Sequence, residues 1–348
     1  MTNGYEVTIF TFSLQYPKLL FPGKTQYASD PAPDGLNIKI RINSINPFNW
    51  WRVGKELKEL KPDWIISVFW LPFMAASLGT ILRIAKKNKH SKVVGLIHNI
   101  IPHEKRFGDE WLARYFAKVP DCFVTLSAAV AKEVQYFAPQ KPVQYAPHPI
   151  YDHYGELLPK VQAKSMLELD VSKNYILFFG FIRAYKGLDL LLDAMSDQRI
   201  KLLNIQLIVA GEYYEEESAY QQKIRQLGID PQLVLHTFYI PSNKVNQYFS
   251  AADLVVQPYR SATQSGISQI AYHFDKPMIV TNVGGLPEIV ENGVAGYVVE
   301  PTPLAIADAL VDFYENQKMS NLEEGVRRNK HLFTWQYLIK TIESVTKS

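Results

Sequence analysis

The feature that most constrains this chain is a regular alternation between two hydrophobic periods. Short runs rich in β-branched and aromatic residues recur between longer stretches whose apolar residues repeat at helical spacing. In the first half, residues 7–12, 38–42, 64–69, 93–98 and 123–126 read as strands, and 50–60 and 75–87 read as helices. Parallel strands need this alternation, because a parallel pair cannot be closed by a tight hairpin and takes a crossover helix instead. The stretch 146–155 breaks both periods, since Pro147 and Pro149 can continue neither a helix nor a central strand. A hinge is expected there. Beyond it the alternation restarts, with strands at 175–181, 206–210, 234–238, 254–257 and 278–281 and helices at 187–195, 216–227, 242–251 and 266–274. A chain of 348 residues exceeds one core of ordinary size, domains running to about 100–200 residues. The expected fold class is α/β, with two doubly wound Rossmann-like domains at 1–150 and 151–332 and a closing segment, 333–348, whose apolar helix covers 335–345.

Composition excludes several classes. Hydrophobic residues make up 47% of the chain and charged residues 20%, which is globular and not disordered. The single cysteine, Cys122, cannot form an intrachain disulfide, and its apolar run 122–126 suits a small buried hydrophobe. No histidine or cysteine spacing suggests a metal, so none is expected. No stretch approaches the roughly 18 apolar residues of a membrane span, and the first residues lack the basic and apolar regions of a signal peptide. A cytoplasmic location is expected. The net charge of +3 is small and its cations are dispersed, which excludes an electrostatic nucleic-acid surface. The densest basic run, 83–90, reads as a solvated helix end, with peripheral contact to anionic lipid at the inner face of a membrane as the alternative.

Three loops of the second half can carry chemistry. In an open α/β sheet, ligands sit outside the carboxyl ends of the strands. The first loop holds Arg183 and Lys186 just before Gly187 and the next helix. Two cations there can neutralise a diphosphate, Arg as a planar fork and Lys as a compact charge. Mere surface charges are the competing explanation, although positive charge at a helix start opposes the dipole. The second loop ends in Ser265-Gly266-Ile267, where the first N–H groups of an apolar helix can bind an anion. Helix capping by Ser265 explains the same residues without a ligand. The third, Val283-Gly284-Gly285-Leu286-Pro287-Glu288, permits close backbone approach or is a plain turn. In the first half, His98 follows a strand, with His103 and His148 as weaker candidates.

In order, the segments "FFGFIRAYKGLDLLLDA", "IQLIVAGE", "AADLVVQPY" and "DKPMIVTNVGGLPEIVENGVAGYVVEP" resemble the family-4 retaining glycosyltransferases of the two-domain GT-B fold. The resemblance covers most of the chain and is strongest over 175–301. It implies transfer of a sugar from a nucleotide-diphosphate sugar to a hydroxyl of a glycan or lipid-linked acceptor, with retention and without an obligatory metal, in bacterial surface polysaccharide or glycolipid synthesis. It implies that Arg183 and Lys186 stabilise the leaving diphosphate, that Ser265, Gly266 and Ile267 bind its phosphates, and that His98 stands beside the transferred sugar. Donors preorganised on such developing charge commonly supply several kcal/mol. The closing helix is expected to cross back onto the first domain.

The chain departs from that family in two places. Ala262 and Ile270 stand where relatives carry paired glutamates, leaving Gln264 and Gln269 as neutral candidates for the donor ribose or sugar. The strand, glycine-rich loop and helix that open the relatives, on the order of 35 residues, do not precede residues 3–10; either the true start lies upstream, or the first domain is shortened by one central strand. These departures set the alternative, a non-catalytic subunit binding a nucleotide sugar or a partner enzyme. A sugar-nucleotide epimerase of the same fold is a third reading.

Overall fold

The computed structural model describes residues 4–17, 35–102, 106–262 and 264–347. They form two compact units, one of residues up to 126, 130–145 and from 341, the other of 127–129 and 146–340.

The first unit contains β1 (Thr8–Leu14), β2 (Asn37–Asn43), α1 (Pro47–Leu60), β3 (Trp64–Phe69), α2 (Ala75–Ala85), β4 (Lys92–Ile97), α3 (Asp109–Ala117), β5 (Cys122–Thr125), most of α4 (Ala128–Phe137) and β6 (Val143–Tyr145). Local chemistry sets the helix ends. Asn46 caps α1, its side-chain oxygen accepting from the Asn49 N–H at 3.2 Å, Pro47 opens the first turn, and Lys61 closes the helix in the left-handed conformation. Gly54 lets α1 pack tightly on α2, since a Cβ there would lie 2.7 Å from the Ile84 Cβ.

The strands of this unit are parallel and form two sheets, β1-β2 and β3-β4-β5-β6. No ladder joins β1 to β3. Side chains link them instead: the Tyr5 and Trp64 rings lie 5.6 Å apart, Phe12 meets Trp70 edge-on at 6.2 Å, and the Trp70 indole N–H donates to the Tyr16 hydroxyl at 2.6 Å. One face is well covered, Phe10 and Phe12 packing on a core that includes Ile42, Val53, Phe69, Ile97, Phe116 and Phe123. Ile9, Ile40, Ile66 and Val68 stay exposed. Hydrophobic alternation reports each strand but not its neighbour, so it gives no sign of where a ladder is interrupted.

The second unit contains α5 (Lys160–Met166), β7 (Asn174–Phe179), α6 (Leu188–Met195), α7 (Gln198–Leu202), β8 (Ile205–Ala210), α8 (Glu217–Leu227), β9 (Leu233–His236), α9 (Val245–Ala251) and β10 (Leu254–Gln257). There follow α10 (Gly266–His273), β11 (Met278–Thr281), α11 (Leu286–Ile289), β12 (Gly296–Val299), α12 (Pro303–Glu315), α13 (Met319–Asn329) and α14 (Trp335–Lys347). One parallel sheet runs in the order β12-β11-β10-β7-β8-β9. Its residues alternate between two cores: Tyr175 and Leu177 of β7 join Val255, Tyr272 and Phe249, whereas Ile176 and Phe178 join Leu191, Leu192 and Leu310. Burial on both faces explains why β8 is apolar almost throughout. Strand order reverses between β7 and β10, which opens a crevice at their carboxyl ends.

Both unit boundaries differ from those read in the sequence. The first falls at 145/146 and not at 150, because the Ile150 N–H donates to the Phe333 carbonyl at 2.8 Å and Ile150 packs on the second core. The second falls inside α14, whose residues from 341 group with the first unit. There Tyr5 donates to Glu343 at 2.5 Å, Gln144 donates to Ser344 at 3.3 Å, and the Lys92 ammonium bonds the Thr346 carbonyl.

Gly187 fixes the entry to α6. Its φ of 66° is left-handed, and a Cβ there would run into the Pro258 carbonyl oxygen. Gly187→Ala is expected to destabilise the protein by about 2–5 kcal/mol, strain and overpacking each contributing; urea unfolding checks this, and a near-neutral substitution would contradict the packing.

Candidate functional site

The site begins where β7 ends. Beyond Phe179 the exit segments of β7 and β8 stay zipped, Gly180 N–H donating to Ala210 O at 2.8 Å, Ile182 N–H to Glu212 O at 2.8 Å and Tyr214 N–H to Ile182 O at 3.0 Å. Arg183 is extended, a short 3-10 turn spans Ala184–Lys186, and Gly187 reverses the chain into α6. That turn sends the Lys186 side chain back beneath the loop, where only 8% of the residue is exposed.

Gly180 shows what meets there. A Cβ at Gly180 would lie 3.0 Å from the Lys186 Nζ and 3.3 Å from the Ile267 Cδ1, so the ammonium and the first turn of α10 converge on one backbone position. The Tyr259 ring centre is 5.8 Å from the ammonium. Among the described residues no carboxylate pairs with Lys186. Burial, and then the like charge of Arg183, lower its pKa to about 8. A cation desolvated without a counter-ion is unfavourable, and an anionic ligand would relieve it.

Arg183 is exposed, with its guanidinium 4.8 Å from the centre of the Tyr214 ring. Sequence patterning does not single out Tyr214; the one signal is its place just after the "IVAGE" strand, at the same sheet edge. Nor does it foresee how Arg260 is used. Arg260 forks onto Asp189 at 2.6 and 2.7 Å, and its N–H donates to the Tyr185 carbonyl at 2.7 Å. The loop after β10 is thereby tied to the loop after β7.

At α10, Ser265 has N-cap backbone geometry but caps nothing with its side chain. Its hydroxyl lies instead 3.3 Å from the Tyr259 hydroxyl. Burial pushes the Tyr259 phenol well above its ordinary pKa, and the Thr281 hydroxyl donates to the Tyr259 carbonyl at 2.5 Å. The capping explanation of Ser265 therefore fails, and the start of α10 has no side-chain acceptor from its own cap. Gly285 N–H donates to Ala262 O at 3.2 Å, which brings the paired-glycine segment against the same loop. Thr263 and His103 lie outside the described residues.

Of the two candidate glutamines, Gln264 is half-buried and Gln269 sits deeper than expected of a ligand on a crevice wall. Gln269 is 1% exposed, and both ends of its amide lack a partner among the described residues, as do the Nε2 atoms of Gln264 and Gln257. Ser268 donates to the Gln257 Oε1 at 3.1 Å. An unmet buried polar group costs about 1–3 kcal/mol, so this cluster under α10 is a local energetic weakness.

The remaining candidates separate. His98 follows β4 in the first unit, half-buried, its backbone N–H donating to Phe69 O at 2.9 Å, and the neighbouring Asn99 Oδ1 has no partner among the described residues. His148 is structural: its Nδ1 is 2.8 Å from the Pro149 carbonyl, its ring meets Tyr151 edge-on at 5.2 Å, and burial lowers its pKa. Cys122 is buried, with its thiol pKa raised by desolvation, as suits an inert residue. Of the run at 83–90, Arg83 donates to Gly79 O at 2.9 Å and stacks on Tyr115, and Lys86 bonds Val119 O at 3.0 Å. No metal-ligating cluster occurs among the described residues.

Two family models match consecutive parts of the chain, Glycosyltransferase Family 4 over residues 1–152 and Glycosyl transferases group 1 over 173–316. An O-antigen chain mannosyltransferase C of Escherichia coli is 25% identical over 297 residues, 82% of this chain and 76% of that protein. A D-inositol 3-phosphate glycosyltransferase of Segniliparus rotundus is 29% identical over 144 residues, 40% of this chain and 32% of that protein. A GDP-mannose:glycolipid 4-beta-D-mannosyltransferase of Xanthomonas campestris is 23% identical over 188 residues, 54% of this chain and 49% of that protein. The matched segments thus span between 32% and 76% of these relatives. Among solved structures, Anabaena HepE in complex with UDP superposes with a TM-score of 0.69 at 18% identity, over 89% of this chain and 86% of that one. A glycosyltransferase from Rickettsia africae gives 0.68 at 17%, over 90% and 84%. At such identities the likeness is one of fold.

Because the Lys186 ammonium is buried without a counter-ion, its removal should not harm the free protein. Lys186→Met is expected to leave the melting temperature unchanged or raised. A drop of more than about 3 °C in a thermal scan, on the order of 1 kcal/mol, would show that the lysine is structural.

Proposed function

We propose that this chain, which has the two-domain GT-B glycosyltransferase fold and carries both matched families, is itself a glycosyltransferase that draws its sugar from a nucleotide-diphosphate donor. One observation carries the reading: the buried Lys186 ammonium, paired with no carboxylate among the described residues, lies at Gly180, where the side chain of Ile267 from the first turn of α10 also arrives. As the bond from the anomeric carbon to the diphosphate breaks, negative charge grows on the departing phosphate oxygen. Lys186 and the N–H groups at Gly266 and Ile267 would face that charge from fixed positions, and Arg183, steadied on Tyr214, would meet it from the exposed side. Preorganisation matters here because the donors need not reorient as the charge appears.

The acceptor hydroxyl oxygen would bond to the anomeric carbon on the face from which the diphosphate leaves, its proton passing to the departing phosphate oxygen, giving retention, with His98 beside the sugar. Lysine, arginine and helix N–H groups supply the neutralisation that a metal gives in other transferases, so we infer a metal-independent reaction. We place Gln264, half-buried in the loop before α10, nearest the donor's neutral hydroxyls, since its amide both donates and accepts, and assign no donor contact to Gln269, which is buried beneath α10. The named relatives act on an O-antigen chain and a glycolipid, which supports a glycan or lipid-linked acceptor in surface polysaccharide or glycolipid synthesis. No helix among the described residues is long and apolar enough to cross a membrane; we propose a cytoplasmic enzyme that meets its acceptor at the inner face.

A specific observation favours a second reading. The sheet of the unit that bears His98 is interrupted between β1 and β3, and a chain with an imperfect acceptor side could bind a nucleotide sugar without transferring it. Donor turnover above background in the presence of a membrane acceptor fraction would exclude that reading.

UDP, GDP or ADP at about 100 times its Kd is expected to raise the melting temperature by about 5 °C or more, and Arg183→Ala with Lys186→Ala to abolish the rise. No shift with any of the three would overturn the donor proposal. The pH dependence has a definite sign. Free Lys186 titrates near 8 and a bound diphosphate would hold it protonated, so binding takes up a proton above that pH. Calorimetric affinity should therefore weaken by up to about tenfold per pH unit from about 8 to 10, and Lys186→Met should remove that slope.

A further inference from the structure

The loop that carries Arg183 and Lys186 is gripped from two sides. On one side stands the loop after β10, where the Arg260 backbone N–H donates to the Tyr185 carbonyl at 2.7 Å and the Arg260 guanidinium donates to the Ala184 carbonyl at 3.3 Å. On the other side stand two consecutive residues at the exit of β8. The Tyr214 N–H donates to the Ile182 carbonyl at 3.0 Å, and the Tyr214 ring lies 4.8 Å from the Arg183 guanidinium and 4.4 Å from the Phe181 ring. The Glu215 carboxylate then accepts the Ala184 N–H at 2.6 Å. Residues 214 and 215 thus hold three successive loop residues, 182 by its carbonyl, 183 by its side chain and 184 by its N–H.

The last of these contacts is one the loop cannot make for itself. Ala184 opens the 3-10 turn that ends at Lys186, and the first N–H groups of a helical turn have no partner within it. Arg183, in the cap position, makes no side-chain cap bond. The Glu215 carboxylate supplies the acceptor from a different strand exit, and an ionised acceptor bonds more strongly than a neutral one. Its other oxygen faces the Tyr220 hydroxyl at 3.4 Å; burial, and then the Glu215 charge, push that phenol up to about 12, so it stays a donor. By charge alone, a carboxylate against this loop would weaken the binding of an anion. Its gain is therefore sought in geometry.

We propose that Glu215 is a positioning residue for nucleoside-diphosphate binding, one that touches no phosphate and instead, by accepting the Ala184 N–H, sets where Arg183 and Lys186 stand. This rests on the donor reading above. A turn fixed before the ligand arrives spares the cost of ordering two long cationic side chains on binding. Position and charge act in opposite directions at Glu215, which makes them separable. Glu215→Ala removes both the bond and the charge. Glu215→Gln removes the charge and keeps a side-chain oxygen that can accept the same N–H. Glu216→Ala removes a carboxylate one residue away that bonds Ser218 and not the loop, and so reports the effect of charge alone. Glu215 is exposed, so its variants leave the two cores of the unit intact.

Calorimetric titration of the full chain with UDP, GDP and ADP, joined to amide exchange of the free protein, tests it. Affinity for whichever nucleotide the wild type binds should fall about fivefold or more in Glu215→Ala, and stay at the wild-type value or rise in Glu215→Gln and Glu216→Ala. Exchange over residues 183–187 should quicken about fivefold or more in Glu215→Ala and remain near wild type in Glu215→Gln. If Glu215→Ala binds as tightly as the wild type or more tightly, Glu215 acts only as a local charge; the positioning role is then overturned and the donor reading stands. Loss of affinity in Glu215→Gln as great as in Glu215→Ala would also overturn it, since the charge and not the bond would then matter. So would unchanged exchange in Glu215→Ala. Absence of wild-type binding to all three nucleotides would overturn the donor reading and this role together.

Discussion

The buried ammonium of Lys186 is the constraint around which the second unit is arranged. Position 180 carries no side chain where the Lys186 Nζ and the Ile267 methyl group come together, and Gly187, in the left-handed conformation, turns the chain into α6. The Asp189–Arg260 fork ties the start of α6 to the loop after β10 and pairs the Arg260 charge. The result is a desolvated cation that no carboxylate among the described residues pairs. Stability alone would not select such an arrangement; an anionic ligand at the strand switch point would.

Much of this was legible in the sequence, and the reason is physical. Strands buried on both faces read as short unbroken apolar runs, so 254–257 and 278–281 coincide with β10 and β11, and Arg183, Lys186 and Ser265 fall at strand exits that the alternation locates. α12 carried a signal that periodicity alone passes over, Thr302 accepting from the Ala305 N–H at 3.3 Å with Pro303 opening the first turn. Tertiary facts were not legible. Ser265 looks like a cap in one dimension, and only the fold brings Tyr259 within reach of its hydroxyl. The glutamines at 264 and 269 look like crevice ligands by position, yet Gln269 turns into the core on the buried side of α10. His148 looks like a free histidine until its ring is seen against Pro149 and Tyr151.

The two units differ in how completely the layer logic is satisfied. The second has a continuous sheet with a core on each face. In the first, β1-β2 is held to β3 by Tyr5, Trp64, Phe12 and Trp70 in place of a ladder, and apolar residues of these strands remain in solvent. Side-chain contacts of that kind are weaker and less directional than ladder hydrogen bonds. Under the proposed function, phosphate binding and sugar transfer would therefore be separable. The first would rest on the complete sheet of the second unit, and the second would also need the unit that carries His98.

The central claim is that the charge of a nucleoside diphosphate is received by Lys186 and the first turn of α10, and a crystal structure with UDP or GDP bound tests it most directly. The expected result is a phosphate oxygen within about 2.7–3.2 Å of the Lys186 Nζ and of a backbone N–H at Gly266 or Ile267. A diphosphate bound elsewhere, with Lys186 still buried and unpaired, would contradict it.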